Sequence, residues 1–155
     1  MWCPTKRAPT LILVLTFLAS ACGGSDTALH AHGTPLFGVA GDPSQADRTI
    51  TIDARDPYQF EPDEVSVDLG ETVTFVVTNE GGQDHEFVLG DEDFQESHGS
   101  SRGAMTHDEP YAMSLEPGDT KEITWRFTDA GEGLFGCHIA DHYEGGMVGT
   151  ISVSG

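Results

Sequence analysis

Basic residues are scarce in this chain. Seven Lys and Arg stand against 26 Asp and Glu in 155 residues, a formal net charge of −19 with His neutral. That balance argues against nucleic acid and anionic headgroups as partners, because both would be repelled. It leaves cationic partners, a saline habitat or simply a solvated acidic surface. Long apolar runs are missing too. Leu11–Leu18 falls well short of the roughly 20 residues that a membrane-spanning helix needs. No stretch carries the sustained period of a long helix, and no internal repeat is present. Cysteine occurs only at positions 3, 22 and 137.

The first 22 residues read as an export signal. Lys6 and Arg7 form the positive region, Leu11–Leu18 the apolar region, and Ala19-Ser20-Ala21 the small residues before the cut. Cys22, followed by Gly23-Gly24-Ser25-Asp26, resembles a bacterial lipobox, in which the Cys is lipidated and becomes the new N-terminus. Ala19 stands where that pattern favours Leu. Residues 1–22 are thus expected to be a signal peptide with a lipobox, placing the protein in the periplasm or cell envelope with Cys22 as its lipid anchor. Residues 23–47, rich in Gly, Ser, Asp, Ala and Pro, read as a flexible tether. About 130 residues follow the cut, enough for one domain. In that mature chain Cys137 is the one thiol left free. Exported proteins usually pair their cysteines, so an odd one is flagged as reactive or liganded. A metal bond is the simplest way to keep it intact.

Residues 48–155 carry the pattern of a β domain. Thr49–Asp53 and Glu64–Asp68 alternate polar with apolar, and Thr72–Thr78 is β-branched and aromatic. His85–Leu89, Ala112–Leu115, Thr120–Thr128, Leu134–Cys137 and Met147–Val153 complete seven or eight short strands between turns. Residues 90–111 break the rhythm as a long insertion, with one helical turn expected at Asp91–Glu96 and a loop at Ser97–Gly103. The expected fold is all-β, an antiparallel sandwich with Greek-key connections and a long loop insertion.

The chemistry concentrates in Phe135–Met147, which reads F-G-C-H-I-A-D-H-Y-E-G-G-M. It holds Cys137, His142 and Met147. A soft thiolate, an imidazole and a thioether together suit copper, and two His, one Cys and a weak axial Met make a blue-copper electron-transfer site. His85 is the candidate for the second His. It opens a strand just after Thr72–Thr78, at the pole where the loop after Leu134–Cys137 also sits. Gly145-Gly146 lets that loop turn sharply. Asp84 and Glu86 flank His85, where either could tune its hydrogen bonding.

Four residues separate Cys137 from His142 and four separate His142 from Met147, with an upstream N-x₅-H from Asn79 to His85. This pattern resembles the cupredoxins over residues 48–155, with a ligand loop similar to that of rusticyanin and auracyanin. H-E-F-V-L-G at His85–Gly90, a His- and Met-bearing insertion, and H-Y-E-G-G-M-V-G are similar to periplasmic cupredoxins of bacterial copper tolerance. The resemblance implies one type 1 copper on His85, Cys137, His142 and Met147. It also implies an electron carrier cycling Cu(I) and Cu(II), with copper homeostasis or tolerance as the alternative. The implied partner is a redox or copper-handling protein.

Other soft ligands remain. His98, Met105, His107 and Met113 in or beside the insertion could hold a secondary copper, and His30 and His32 could bind Cu(II) in the tether. His138 follows Cys137 directly, as in multicopper oxidases and copper nitrite reductases. With Gly136 on the other side and no further ligands in one domain, an oligomeric oxidase or reductase is the least favoured reading. Alternation along the strand should turn His138 away from the copper.

Overall fold

The computed structural model describes residues 37–100 and 108–155. Among the described residues two sheets face each other. The first has five strands: β1 (Gly38–Ala40), β2 (Arg48–Arg55), β3 (Gln59–Glu61), β5 (Thr72–Asn79) and β9 (Thr120–Phe127). The second has six: β4 (Glu64–Asp68), β6 (His85–Gly90), β7 (Asp108–Glu109), β8 (Ala112–Leu115), β10 (Gly131–Gly136) and β11 (Val148–Ser154). Their orders are β1-β9-β5-β2-β3 and β4-β11-β10-β6-β8-β7. The all-β sandwich is as expected, but the pairing is mixed. β2 runs parallel to β5, and β4 parallel to β11, while the other pairs are antiparallel.

Alternating apolar side chains fill the space between the sheets. Phe75 and Phe127 come from the first sheet, Phe87 and Phe135 from the second, and all four are fully buried. Phe87 lies 5.7 Å from Phe75 and 5.1 Å from Phe135, and Phe60 of β3 meets both Phe87 and Phe135 edge-on. Aromatic pairs at such separations add to the area they bury. This core reaches to Cys137 and Met147, so the ligand loop is seated on it.

Three differences from the sequence reading have local causes. Among the described residues, regular structure is present before Arg48: Phe37 enters the core, and Gly38–Ala40 pair with Trp125–Phe127. Part of the expected tether is therefore sheet, and the segment's Gly- and Pro-rich composition hid it. β1, β3 and β7 have three residues or fewer, too short to show a period. The insertion opens with a true helix, α1 (Glu92–Ser100), longer than the one turn expected. The Asp91 side chain caps it by accepting the Phe94 N–H at 2.8 Å. Phe94 and Gln95 are buried against β6, and that burial carries a helix whose own sequence is weakly amphipathic.

Candidate metal centre

β6 is buried along its whole length, because the core covers one face and α1 the other. The pleat therefore sorts its residues. His85, Phe87 and Leu89 share the core face, and Glu86 and Val88 the helix face. β10 pairs with β6 through Leu134↔Gly90 to Gly136↔Val88. The next residue, Cys137, thus arrives beside the His85 end of β6 on the core face.

The turn into His85 is held by Asn79, which is 1% exposed. Its amide donates to the carbonyls of Gln83 at 2.8 Å and Leu115 at 3.0 Å, and its oxygen accepts the Gly81 N–H at 2.9 Å. The ligand loop closes on its own backbone. The Cys137 N–H donates to Met147 O at 3.1 Å, and the Met147 N–H to His142 O at 2.9 Å. Gly146 has φ +101°, which an L side chain rarely adopts, and a Cβ on Gly145 would lie 2.4 Å from the Tyr58 ring. The glycine pair is needed for both reasons.

His85, Cys137 and His142 come together: one ligand atom from each lies within 4.8 Å of the others. Cys137 Sγ and His142 Nδ1 are 3.4 Å apart, and the two imidazole centroids 5.1 Å. His85 and Cys137 are fully buried and His142 is 4% exposed. Met147 is also fully buried, and its backbone is tied to both Cys137 and His142.

The electrostatics are those of a dry donor set. Burial pushes the Cys137 thiol up to about 12, with the Glu86 charge adding to it; the N–H groups of Glu86 and Ile139 act the other way. The Glu86 N–H reaches Sγ at 3.3 Å. Burial and the neighbouring His85 lower the His142 pKa, which favours the neutral, ligating imidazole. His85 Nδ1 is buried with no hydrogen-bond partner, while its Nε2–H donates to Asp56 Oδ1 at 3.1 Å. An orphaned buried nitrogen costs about 1–3 kcal/mol, and a cation beside it removes that cost. Two imidazole nitrogens, a thiol and an adjacent buried Met fit a soft cation such as copper.

The supporting residues Asp56 and Tyr58 carried no signal in the sequence. They lie in the β2–β3 connection, far from any ligand in the chain. Asp56 also accepts the Gly82 N–H at 2.7 Å, and Tyr58 covers His142 at 4.9 Å. Of the two acids flanking His85, Glu86 is the one whose backbone N–H meets the sulfur, and Asp84 is exposed.

The leftover ligands separate. His138 turns to the helix face, as strand alternation requires. Its Nε2–H donates to the fully buried Gln95 Oε1 at 2.7 Å, and its ring stacks on Tyr143 at 4.3 Å. It lines an open cleft of about 540 Å³ with Gln95, Tyr143, Glu92, Glu96 and Glu144. His98 approaches Glu86 at 3.8 Å. Met113 lies in the core opposite Phe87, on the other face from Glu86 and therefore away from His98. Met105, His107, His30, His32 and Cys22 lie outside the described residues.

Residues 46–154 match the family of copper-binding proteins described as plastocyanin/azurin. The chain is 37% identical to a copper-resistant cuproprotein CopI of Rubrivivax gelatinosus, over 94% of this chain and 95% of that one. It is 35% identical to a protein of the same name from Pseudomonas aeruginosa, over 97% and 98%. Among solved structures, auracyanin of Roseiflexus castenholzii superposes with a TM-score of 0.61 at 27% identity, covering 71% of this chain and 99% of that one. A sandwich of this topology, a dry His/Cys/His cluster at one pole and a match over most of the chain lead to one conclusion: the chain belongs to the plastocyanin/azurin family of copper-binding proteins, the cupredoxins.

Proposed function

We propose that this chain is a type 1 copper protein of the cell envelope that serves copper tolerance, holding one copper on His85, Cys137, His142 and Met147. The observation that supports this most is the buried His/Cys/His cluster in a chain aligned along 94% of its length with a copper-resistant cuproprotein. Bound copper supplies a one-electron couple and needs no second substrate. The protein's residues do the rest. Cys137 gives the thiolate, and the Glu86 N–H at its sulfur stabilises that charge. His85 and His142 present neutral nitrogens. Asp56 fixes the orientation of His85 through the far side of its ring. Met147 offers its thioether from within the core. Burial of all four keeps water away and holds one arrangement, so a change of oxidation state reorganises little.

Electron carriage is the second reading, favoured by that rigidity and by the likeness to auracyanin. Both readings are non-enzymatic. The excess of acidic residues favours a cationic partner. Export, with lipid attachment at Cys22, rests on the leader pattern alone. Copper-loaded protein should show an intense thiolate-to-copper charge-transfer band, and a colourless loaded protein would overturn both readings. Loss of the gene should lower the copper concentration the cells tolerate. A respiratory defect with unchanged copper tolerance would instead establish the carrier.

A further inference from the structure

We propose that Asp56 and Glu86 are potential-setting residues that bias the centre toward Cu(II) and keep its reduction potential low. The inference rests on the copper reading above. Two carboxylates stand behind the donor set, Asp56 at the far side of the His85 ring and Glu86 on the helix face beside the residue after Cys137, and neither belongs to the His/Cys/His cluster. Glu86 is 5% exposed, lies next to His85, and places its carboxylate against the residue that follows Cys137: Oε1 accepts the His138 N–H at 2.5 Å. His98 of α1 comes to 3.8 Å from the same oxygen. Asp56 accepts the His85 Nε2–H at 3.1 Å and is anchored by the Gly82 N–H at 2.7 Å and the Gln83 amide at 3.4 Å.

A fixed negative charge favours the metal state of higher charge, and more so where water is excluded. A carboxylate behind a ligating imidazole also makes that imidazole a stronger donor. Burial ranks the two. Glu86 is screened little, whereas the Asp56 side chain is 39% exposed and screened by water. Glu86 acts twice and in opposite directions: its backbone N–H at Cys137 Sγ withdraws charge from the thiolate, and its carboxylate returns negative charge to the site. A site biased in this way keeps the oxidised ion and gives up its electron readily, which suits retention of copper.

The test is a potentiometric titration of copper-loaded protein, moving one electron per copper to or from a soluble mediator. Glu86→Gln keeps the backbone bond to sulfur and an oxygen for the His138 N–H, so it removes the charge and with it the ion-pair contact to His98. Asp56→Asn keeps an oxygen for His85. Glu132→Gln, on an exposed residue of β10, removes an equal charge away from the site. The midpoint potential should rise most in Glu86→Gln, less in Asp56→Asn, and stay at the wild-type value in Glu132→Gln. Unchanged or lowered potentials in both site variants with copper bound would overturn the inference and leave the copper reading standing. An equal rise in Glu132→Gln would also overturn it, assigning the effect to net charge. If Glu86→Gln fails to hold copper, Asp56→Asn decides alone. Wild-type protein that takes up no copper would overturn the copper reading itself, and this inference with it.

Discussion

The two faces of β6 and of the chain continuing from β10 are put to opposite uses. The inner face presents His85, Phe87 and Cys137 to the sandwich core, where Cys137 is fully buried and His85 Nδ1 is unpartnered. The outer face presents Glu86 and, one residue after Cys137, His138 to α1, where polar atoms are paired: His138 with Gln95, and Glu86 with the His138 N–H. One layer is dry and left incomplete for a cation, and the other is polar and satisfied. A one-residue step along the chain separates them, because the pleat sends neighbours to opposite faces. A buried polar network is stable only when its members are paired; the unpartnered His85 Nδ1 stands with a thiol and a second imidazole, a set that a soft cation would satisfy.

The largest expected effect comes from the inner face. Cys137→Ser should abolish the charge-transfer band and weaken copper binding by at least about a hundredfold, since the thiolate is the softest donor; absorption during copper titration measures it. An unchanged spectrum would break the assignment. Phe87→Ala, beneath the ligands, should cost about 3–5 kcal/mol in denaturant unfolding, as for other fully buried Phe. A loss under about 1 kcal/mol would show that the core does not support the site. Next comes pH. The Cys137 thiol of the metal-free protein, pushed up to about 12, is protonated at neutral pH, and ligation must release that proton. Copper affinity should therefore rise with pH, about tenfold per unit between about pH 7 and 9, as competition with a chelator would reveal. A flat profile would mean that Cys137 is already a thiolate or is not a ligand. The smallest effect belongs to the outer face. His138→Ala should keep the charge-transfer band and lose only about 1–2 kcal/mol of stability, from stranding Gln95 Oε1. Loss of the band on that substitution would erase the distinction between the faces.

Much of this was legible in the residues. Cys137, His142 and Met147 stand out as candidate ligands because three such donors fall at close spacing in one short loop; the fold brings Cys137 and His142 together with His85. The longer strands show a period of two, and their ends fall within a few residues of those expected. The short strands β1, β3 and β7 do not, since two or three residues cannot display a period. The parallel pairings β2 with β5 and β4 with β11 were hidden as well. Pairing direction depends on how the chain crosses between sheets, which local pattern does not encode. α1 was seen only as a turn because its stability comes from burying Phe94 and Gln95 rather than from its own periodicity.

The residues alone pointed to a β domain and to Cys137, His85, His142 and Met147 as candidate copper ligands, of which the fold brings His85, Cys137 and His142 together. These follow from side-chain chemistry and from spacing over a few residues. Only the tertiary structure decided which residues stand behind that set. Asp56 reaches His85 across 29 positions of sequence, and Glu86 meets His138 across 52. It also placed Met113 in the core rather than beside His98, because the side on which a residue falls is fixed by strand register and by which elements cover each face; strand alternation alone had already turned His138 away from the donors.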